Sequence, residues 1–333
     1  MKNVISCSRR TDVPRWYSPW LAQALRRGQV TVALPYGGER QVDLSPSSVH
    51  TLVLWSKDYR PLLDNLAGVR DALQPYEQLY AFITITGLGG SEMESQAPRP
   101  SQALNQLPEL IDLTGSPDRV SVRFDPIVMW EQGNVVLNNV DMANDIFASA
   151  AAHGVTRFCF SFATIYPKMR SRGVEWYDPA LGERREIVRR LLEMAAPFKV
   201  ELYICAQEAL GLEGIHQGRC IDGQLLASLH PRGEPASLLK DRGQRKLCGC
   251  TESIDIGAYS QVCWHSCLYC YARPARWSLE SRPGLEMDAV SSLTFDDRIP
   301  KPPGLRLEHL RRRRGDRGQR WRAAMSRHWP EHD

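Results

Sequence analysis

Tyr80-Ala81-Phe82-Ile83-Thr84-Ile85 is an almost wholly apolar run with no charge. A strand with one wet face alternates apolar and polar residues, whereas a strand covered on both faces reads as a continuous apolar run. This segment therefore requires cover on both sides. Working outward, residues 4–7, 51–55, 120–124, 157–162 and 200–205 form further short β-rich runs, with 79–86 containing the quoted stretch. Amphipathic stretches lie between them at 19–27, 61–73, 102–113, 140–153 and 182–196. Strands alternating with helices of this length predict βαβ units around a parallel sheet. The expected fold class is α/β, a parallel-strand and at least partial TIM-type barrel over residues 1–247.

Polar residues gather just past the strand ends: Arg9, Arg10 and Asp12, then Lys57 and Asp58, Thr84 and Thr86, Arg123 and Asp125, Ser161, and Glu208. In α/β barrels the C-terminal strand ends build the active site. Six strands that all end this way predict one shared mouth. Arg123 lies between Val122 and Phe124 in a strand, so it needs a partner, and Asp125 stands two positions on, on the same face.

Five of the nine cysteines fall between residues 248 and 270. The stretch Cys263-Trp264-His265-Ser266-Cys267-Leu268-Tyr269-Cys270 has the form C-x₃-C-x₂-C with an aromatic before the third cysteine. Three thiolates this close in sequence can hold three corners of a [4Fe–4S] cluster and leave the fourth iron without a protein ligand. A structural zinc site is the alternative; it needs four closed ligands, with His265, Cys248 or Cys250 as the fourth. Cys205, Cys220, Cys248 and Cys250 could make a second metal site, either an auxiliary iron–sulfur cluster or zinc. Cys7 and Cys159 sit inside strand patterns and read as core residues.

The C-x₃-C-x₂-C spacing resembles the cluster motif of radical S-adenosylmethionine (SAM) enzymes. The chain as a whole resembles the bacterial family DUF1848. The residues that carry this likeness are Ser8-Arg9-Arg10-Thr11-Asp12-Val13-Pro14, Trp55-Ser56-Lys57-Asp58, Arg123-Phe124-Asp125-Pro126-Ile127, Cys205-Ala206-Gln207-Glu208, Cys220-Ile221-Asp222 and the run from Cys248 to Tyr259. The resemblance spans about residues 1–275. It implies a cysteine cluster of radical SAM type but brings no substrate. In ordinary radical SAM enzymes the cysteine loop follows the first barrel strand, whereas here it follows six others. A permuted barrel resolves this if residues 253–259 form a strand beside residues 4–7, so that segment 248–275 closes the barrel.

The function expected on these grounds is SAM cleavage and hydrogen abstraction from a small-molecule substrate, with an electron donor such as flavodoxin or ferredoxin. Arg9, Arg10, Lys57 and Arg123 would make the mouth friendly to anions, while Asp12, Asp125 and Glu208 would hold hydroxyls or cationic groups. The competing reading is a zinc- or Fe–S-stabilised binding protein without radical chemistry.

The net charge is +4. Ten basic against four acidic residues in 301–333 make that stretch +6, leaving −2 for residues 1–300. Only the Pro/Arg-rich tail, 276–333, could associate with nucleic acid, and it reads as a poorly ordered extension. The first residues lack a signal-peptide pattern and no apolar run approaches the ~20 residues of a membrane span, which predicts a cytoplasmic protein without a membrane partner.

Overall fold

The computed structural model describes residues 1–33, 37–207, 210 and 212–273; Glu208 and the basic tail lie outside them. Eight strands form one sheet: β1 (Asn3–Cys7), β2 (Val49–Ser56), β3 (Leu79–Thr84), β4 (Val120–Ile127), β5 (Arg157–Phe162), β6 (Glu201–Cys205), β7 (Ile215–Gly218) and β8 (Ile254–Asp255). Their order is β7-β6-β5-β4-β3-β2-β1-β8, and every ladder is parallel. β8 lies beside β1 with Ile5 opposite Ile254 and Ser6 opposite Asp255. The closing segment thus pairs with the first strand, as expected for residues 253–259, although only two residues there are strand. Among the described residues β7 and β8 form no ladder with each other, and the sheet does not close into a barrel. Between them, the Thr251 N–H donates to the Ile221 carbonyl at 2.9 Å.

Period-two alternation sorts the two faces. Ile5, Leu52, Leu54, Ala81, Ile83, Val122, Phe124, Phe158, Phe160, Leu202 and Ile204 pack in one core with helix residues such as Leu21, Leu107, Leu110, Phe147, Val188 and Leu191. Those helix residues come from α1 (Ser18–Arg27), α2 (Leu107–Thr114), α3 (Ala143–Ala152) and α4 (Leu181–Ala195). The opposite face holds Val4, Val53, Trp55, Tyr80, Phe82, Cys159 and Cys205, and it packs against Cys220, Ile221, Cys248 and Cys250. Tyr80 and Phe82 therefore meet the inner face while Ala81 and Ile83 meet the helices, which is the double cover the run required.

Two expected helices need adjustment, and residues 212–250, for which no element was expected, carry β7 and a helix at Gly223–Leu229, whose first turn is capped by the Asp222 side chain. Ile215-His216-Gln217-Gly218 has only one strong apolar residue, so ladder pairing with β6, rather than hydrophobicity, defines it. The helix expected at 61–73 is broken, because Asn65 and Gly68 adopt left-handed φ values of 57° and 71°. The one at 102–113 divides at Asn105 and Gln106.

An antiparallel sheet of Glu175–Trp176, Met129–Gln132 and Val135–Asn138 stands apart from the main sheet. Among the described residues no helix is long and apolar enough to cross a membrane.

Candidate metal centre

Asp12 follows β1 and caps the short helical turn Val13–Trp16. Its Oδ1 accepts from Arg15 N–H at 3.0 Å and Ser56 Oγ at 2.7 Å. Its Oδ2 accepts from Lys57 N–H at 2.8 Å and meets His265 Nε2 at 2.8 Å. One buried carboxylate thereby ties the ends of β1 and β2 to the cysteine loop. The other His265 nitrogen, Nδ1, faces the Gln96 carbonyl at 3.2 Å.

Glu94 is the second anchor and is nearly inaccessible. Lys57 Nζ reaches both its oxygens, at 2.9 and 3.0 Å, and the hydroxyls of Thr86 and Tyr269 also donate to it. Burial pushes the Glu94 carboxyl up, but Lys57, Thr86 and Tyr269 together hold it below the usual carboxylate range. Burial likewise pulls Lys57 down, yet Glu94 and then Cys267 raise it above the ordinary lysine value. The aromatic residue before the third cysteine thus has a stated job: it fixes the loop to Glu94.

Cys263, Cys267 and Cys270 sit on the loop so anchored. Burial, followed by Asp12 and Cys270, raises the Cys263 thiol to about 12. Burial drives Cys267 well above the ordinary thiol value; Lys57 opposes this, while Glu94, Cys270 and Cys263 add to it. Cys263 and Cys267 therefore favour the neutral thiol, and a bound cation would favour their thiolates. Arg172 holds the loop by donating to the carbonyls of Leu268, Cys270 and Arg273. Tyr17 donates to the Val262 carbonyl at 2.9 Å, and Tyr271 to that of Arg9 at 2.9 Å. Leu88, Met93, Val128, Trp130 and Met169 roof Cys267 and Tyr269 with apolar surface, which limits water at the sulfurs.

The zinc reading required a fourth ligand, and each candidate is engaged elsewhere. Both His265 nitrogens face acceptors, both oxygens of Asp12 and of Glu94 are occupied, and Cys248 and Cys250 pack with Cys220 on the inner face of the sheet. Among the described residues the loop therefore presents three thiols and no fourth protein donor.

The expected cationic mouth is internally paired. Arg9 meets Asp241 at 3.3 Å, Ser253 Oγ at 2.8 Å and Asp255 at 3.7 Å. Arg10 donates to the Gly257 carbonyl at 2.9 Å. Lys57 is held by Glu94, and Arg123 by Asp125, which also accepts from Ser161. The Arg123 guanidinium lies 5.2 Å from the Trp55 ring centroid. Residue pattern alone did not single out Glu94 or Arg172, and it offered His265 only as a metal ligand and Asp255 only as part of the family-like run, not as partners of Asp12 and Arg9. Glu94 lies in a loop with no periodic signal, and Asp255 gains its meaning only from the β1–β8 pairing.

The tightest group of potential ligand atoms among the described residues is Glu77, His230 and Glu234, all within 4.8 Å of one another. Lys2 and Arg232 already pair with both carboxylates there. Glu77 and Lys2 precede β3 and β1, so this ion-pair network lies at the end of the sheet away from the cysteine loop.

An eight-stranded parallel sheet with a three-thiol loop over its C-terminal strand ends defines the class of this α/β protein. Within that class the chain belongs to the family described as "Domain of unknown function (DUF1848)", whose model matches residues 4–272. A search of curated proteins gives no match. Among solved structures the chain is similar to a morphinone reductase mutant in complex with tetrahydroNAD, at 13% identity over 65% of this chain and 55% of that one, with a TM-score of 0.27. It is also similar to D-psicose 3-epimerase with D-tagatose from Clostridium cellulolyticum H10, at 13% identity over 71% of this chain and 85% of that one, with a TM-score of 0.28. The match thus spans little more than half of the reductase, and neither likeness bears on function.

Proposed function

We propose that Cys263, Cys267 and Cys270 hold a [4Fe–4S] cluster with one iron open, and that the chain is a radical SAM-type enzyme acting on a small molecule. The observation that carries this reading is the donor set: three thiols, Cys267 buried and Cys263 and Cys270 half-buried, whose polar neighbours already have partners, so that no fourth protein ligand is on offer among the described residues. Zinc in a structural site takes four closed ligands, while a cubane held by three cysteines keeps a position free for an external ligand. A cluster bound there would supply the electron that cleaves the SAM sulfonium and yields a 5′-deoxyadenosyl radical.

The chain's own part is to anchor and to exclude water. Asp12 and Glu94 fix the loop at two points, and Lys57 places a positive charge beside Cys267. The apolar roof limits solvent. In this reading the sheet is a permuted barrel, open between β7 and β8, with the substrate held over the ends of β1–β6. The reductant is a low-potential carrier of the flavodoxin or ferredoxin kind.

The test is anaerobic purification with iron and sulfide reconstitution, followed by SAM and dithionite. The expected result is a brown protein with a broad band near ~400 nm, about four irons for this site, and 5′-deoxyadenosine as product. A colourless protein carrying stoichiometric zinc would sink the proposal.

A further inference from the structure

Five further thiols gather on the inner face of the sheet, and they come from three distant parts of the chain. Cys159 lies on β5, Cys205 ends β6, Cys220 follows β7, and Cys248 and Cys250 lie on the segment leading to β8. All five are buried and none is in a disulfide. The Cys205 and Cys220 sulfurs are 3.4 Å apart. Cys250 contacts both Cys220 and Cys248, and its sulfur accepts the Ile221 N–H at 3.4 Å. Cys159 contacts Cys220. The fold makes room for this: a Cβ on Gly218 would stand 2.5 Å from the Ile204 carbonyl oxygen and 3.1 Å from Cys205 Cα.

The surroundings are cationic. The Arg123 guanidinium faces Cys220, Cys205 and Cys159, and that of Arg9 faces Cys250 and Cys220. Arg9, Arg123 and Arg157 each keep a buried Nε without a hydrogen-bond partner. Buried N–H groups of this kind are otherwise costly, and donors to cluster sulfurs are among the features that tune iron–sulfur centres. A cavity of about 330 Å³, lined by Arg219, Lys240, Lys246 and Leu247, opens over Cys248.

The spread of the sulfurs identifies the class of metal centre. Four thiolates on one zinc would all lie about 3.8 Å apart, given tetrahedral bonds of about 2.3 Å. Among the described residues no three of these sulfurs are within 4.8 Å of one another. They form instead a chain of contacts, Cys205 to Cys220, Cys220 to Cys250 and Cys250 to Cys248, with Cys159 also against Cys220. The geometry points to a second iron–sulfur cluster, ligated by Cys205, Cys220, Cys248 and Cys250, with Cys159 as an adjacent thiol outside the ligand set. A chain of thiols that spans the open seam between β7 and β8 suits a polynuclear centre, whose negative charge would meet Arg9 and Arg123.

The experiment uses the full chain, purified and reconstituted without oxygen with ferrous iron and sulfide. The triple variant Cys263→Ala/Cys267→Ala/Cys270→Ala removes the loop site. It is expected to retain at least about two irons and two acid-labile sulfides per chain with thiolate-to-iron absorption. Adding Cys220→Ser and Cys250→Ser is expected to remove that iron. Cys159→Ser, which removes a thiol but no ligand, keeps it and controls for packing. The double variant Cys220→Ser/Cys250→Ser alone retains the loop cluster, so failure of this proposal is separable from failure of the SAM reading. Background iron in a folded triple variant, one zinc per chain, or a Cys205–Cys220 disulfide formed under anaerobic preparation would each overturn it.

Discussion

The two thiol groups of this chain lie in opposite surroundings. Cys263, Cys267 and Cys270 are neighbours in sequence, carried on a loop, pinned by acidic anchors and roofed by apolar side chains. Cys205, Cys220, Cys248 and Cys250 are scattered in sequence, brought into contact by parallel strands, and set among arginines. At the loop the nearby non-thiol donors already have partners, so an ion bound there would find three thiols and no further protein ligand. On the inner face four thiols lie close enough together to be proposed as one ligand set. The contrast teaches that the same residue type is set by anchoring and charge in two different environments, which under our proposals would suit an open metal position in one and a complete ligand set in the other.

The strongest way to break this comparison is at the loop. Cys267→Ala is expected to abolish the loop's iron and all 5′-deoxyadenosine formation, read by iron and sulfide analysis and by product chromatography. The inner group's iron stays.

Next in size is the anchor pair. Glu94→Ala leaves Lys57 as an uncompensated charge in a buried site and is expected to cost about 3–5 kcal/mol in denaturant unfolding. A smaller loss on combining it with Lys57→Met would tie that cost to the stranded charge. The pH dependence has a definite sign. Glu94 is depressed in the folded state, so its stabilisation is complete above its ordinary value of 4.5 and fades as pH falls through the lower folded value. Glu94→Gln is expected to flatten that acid limb in unfolding midpoints measured from neutral to acidic pH; an unchanged limb would contradict the assignment.

On the inner face, Gly218→Ala forces a methyl against the Ile204 carbonyl. The expected loss is about 1–3 kcal/mol, together with weaker iron retention in the triple-alanine background. Smallest is Tyr17→Phe, which deletes one hydrogen bond to the Val262 carbonyl and is expected to cost about 0.5–1.5 kcal/mol by thermal melting.

Much of this architecture was legible in the residues. The apolar run at 80–85 announced a doubly covered strand, and six strands lay where alternation and helix spacing put them. The Arg123–Asp125 pair followed from a charge in an apolar strand. β7 was not legible, because an edge strand held by one ladder needs little apolar content. Cys159 was read as a core residue and is one, in the inner-face cluster and against Cys220, a contact the reading did not foresee. The alternation Phe158-Cys159-Phe160-Ser161-Phe162 held the signal, since the three phenylalanines claim the helix side and turn Cys159 and Ser161 inward. Glu94 could not be found from sequence. Its importance arises from three partners, Lys57, Thr86 and the loop's Tyr269, which meet only after the strands are in order.

The central claim is that the loop's three thiols leave one iron free for SAM. Mössbauer spectroscopy of the ⁵⁷Fe-reconstituted Cys220→Ser/Cys250→Ser variant, with and without SAM, tests it directly, because only the loop site then holds iron. The account predicts that about one iron in four changes its isomer shift when SAM is added, while the others keep theirs. A spectrum in which SAM alters no iron, in a protein that binds a full cluster, would contradict it.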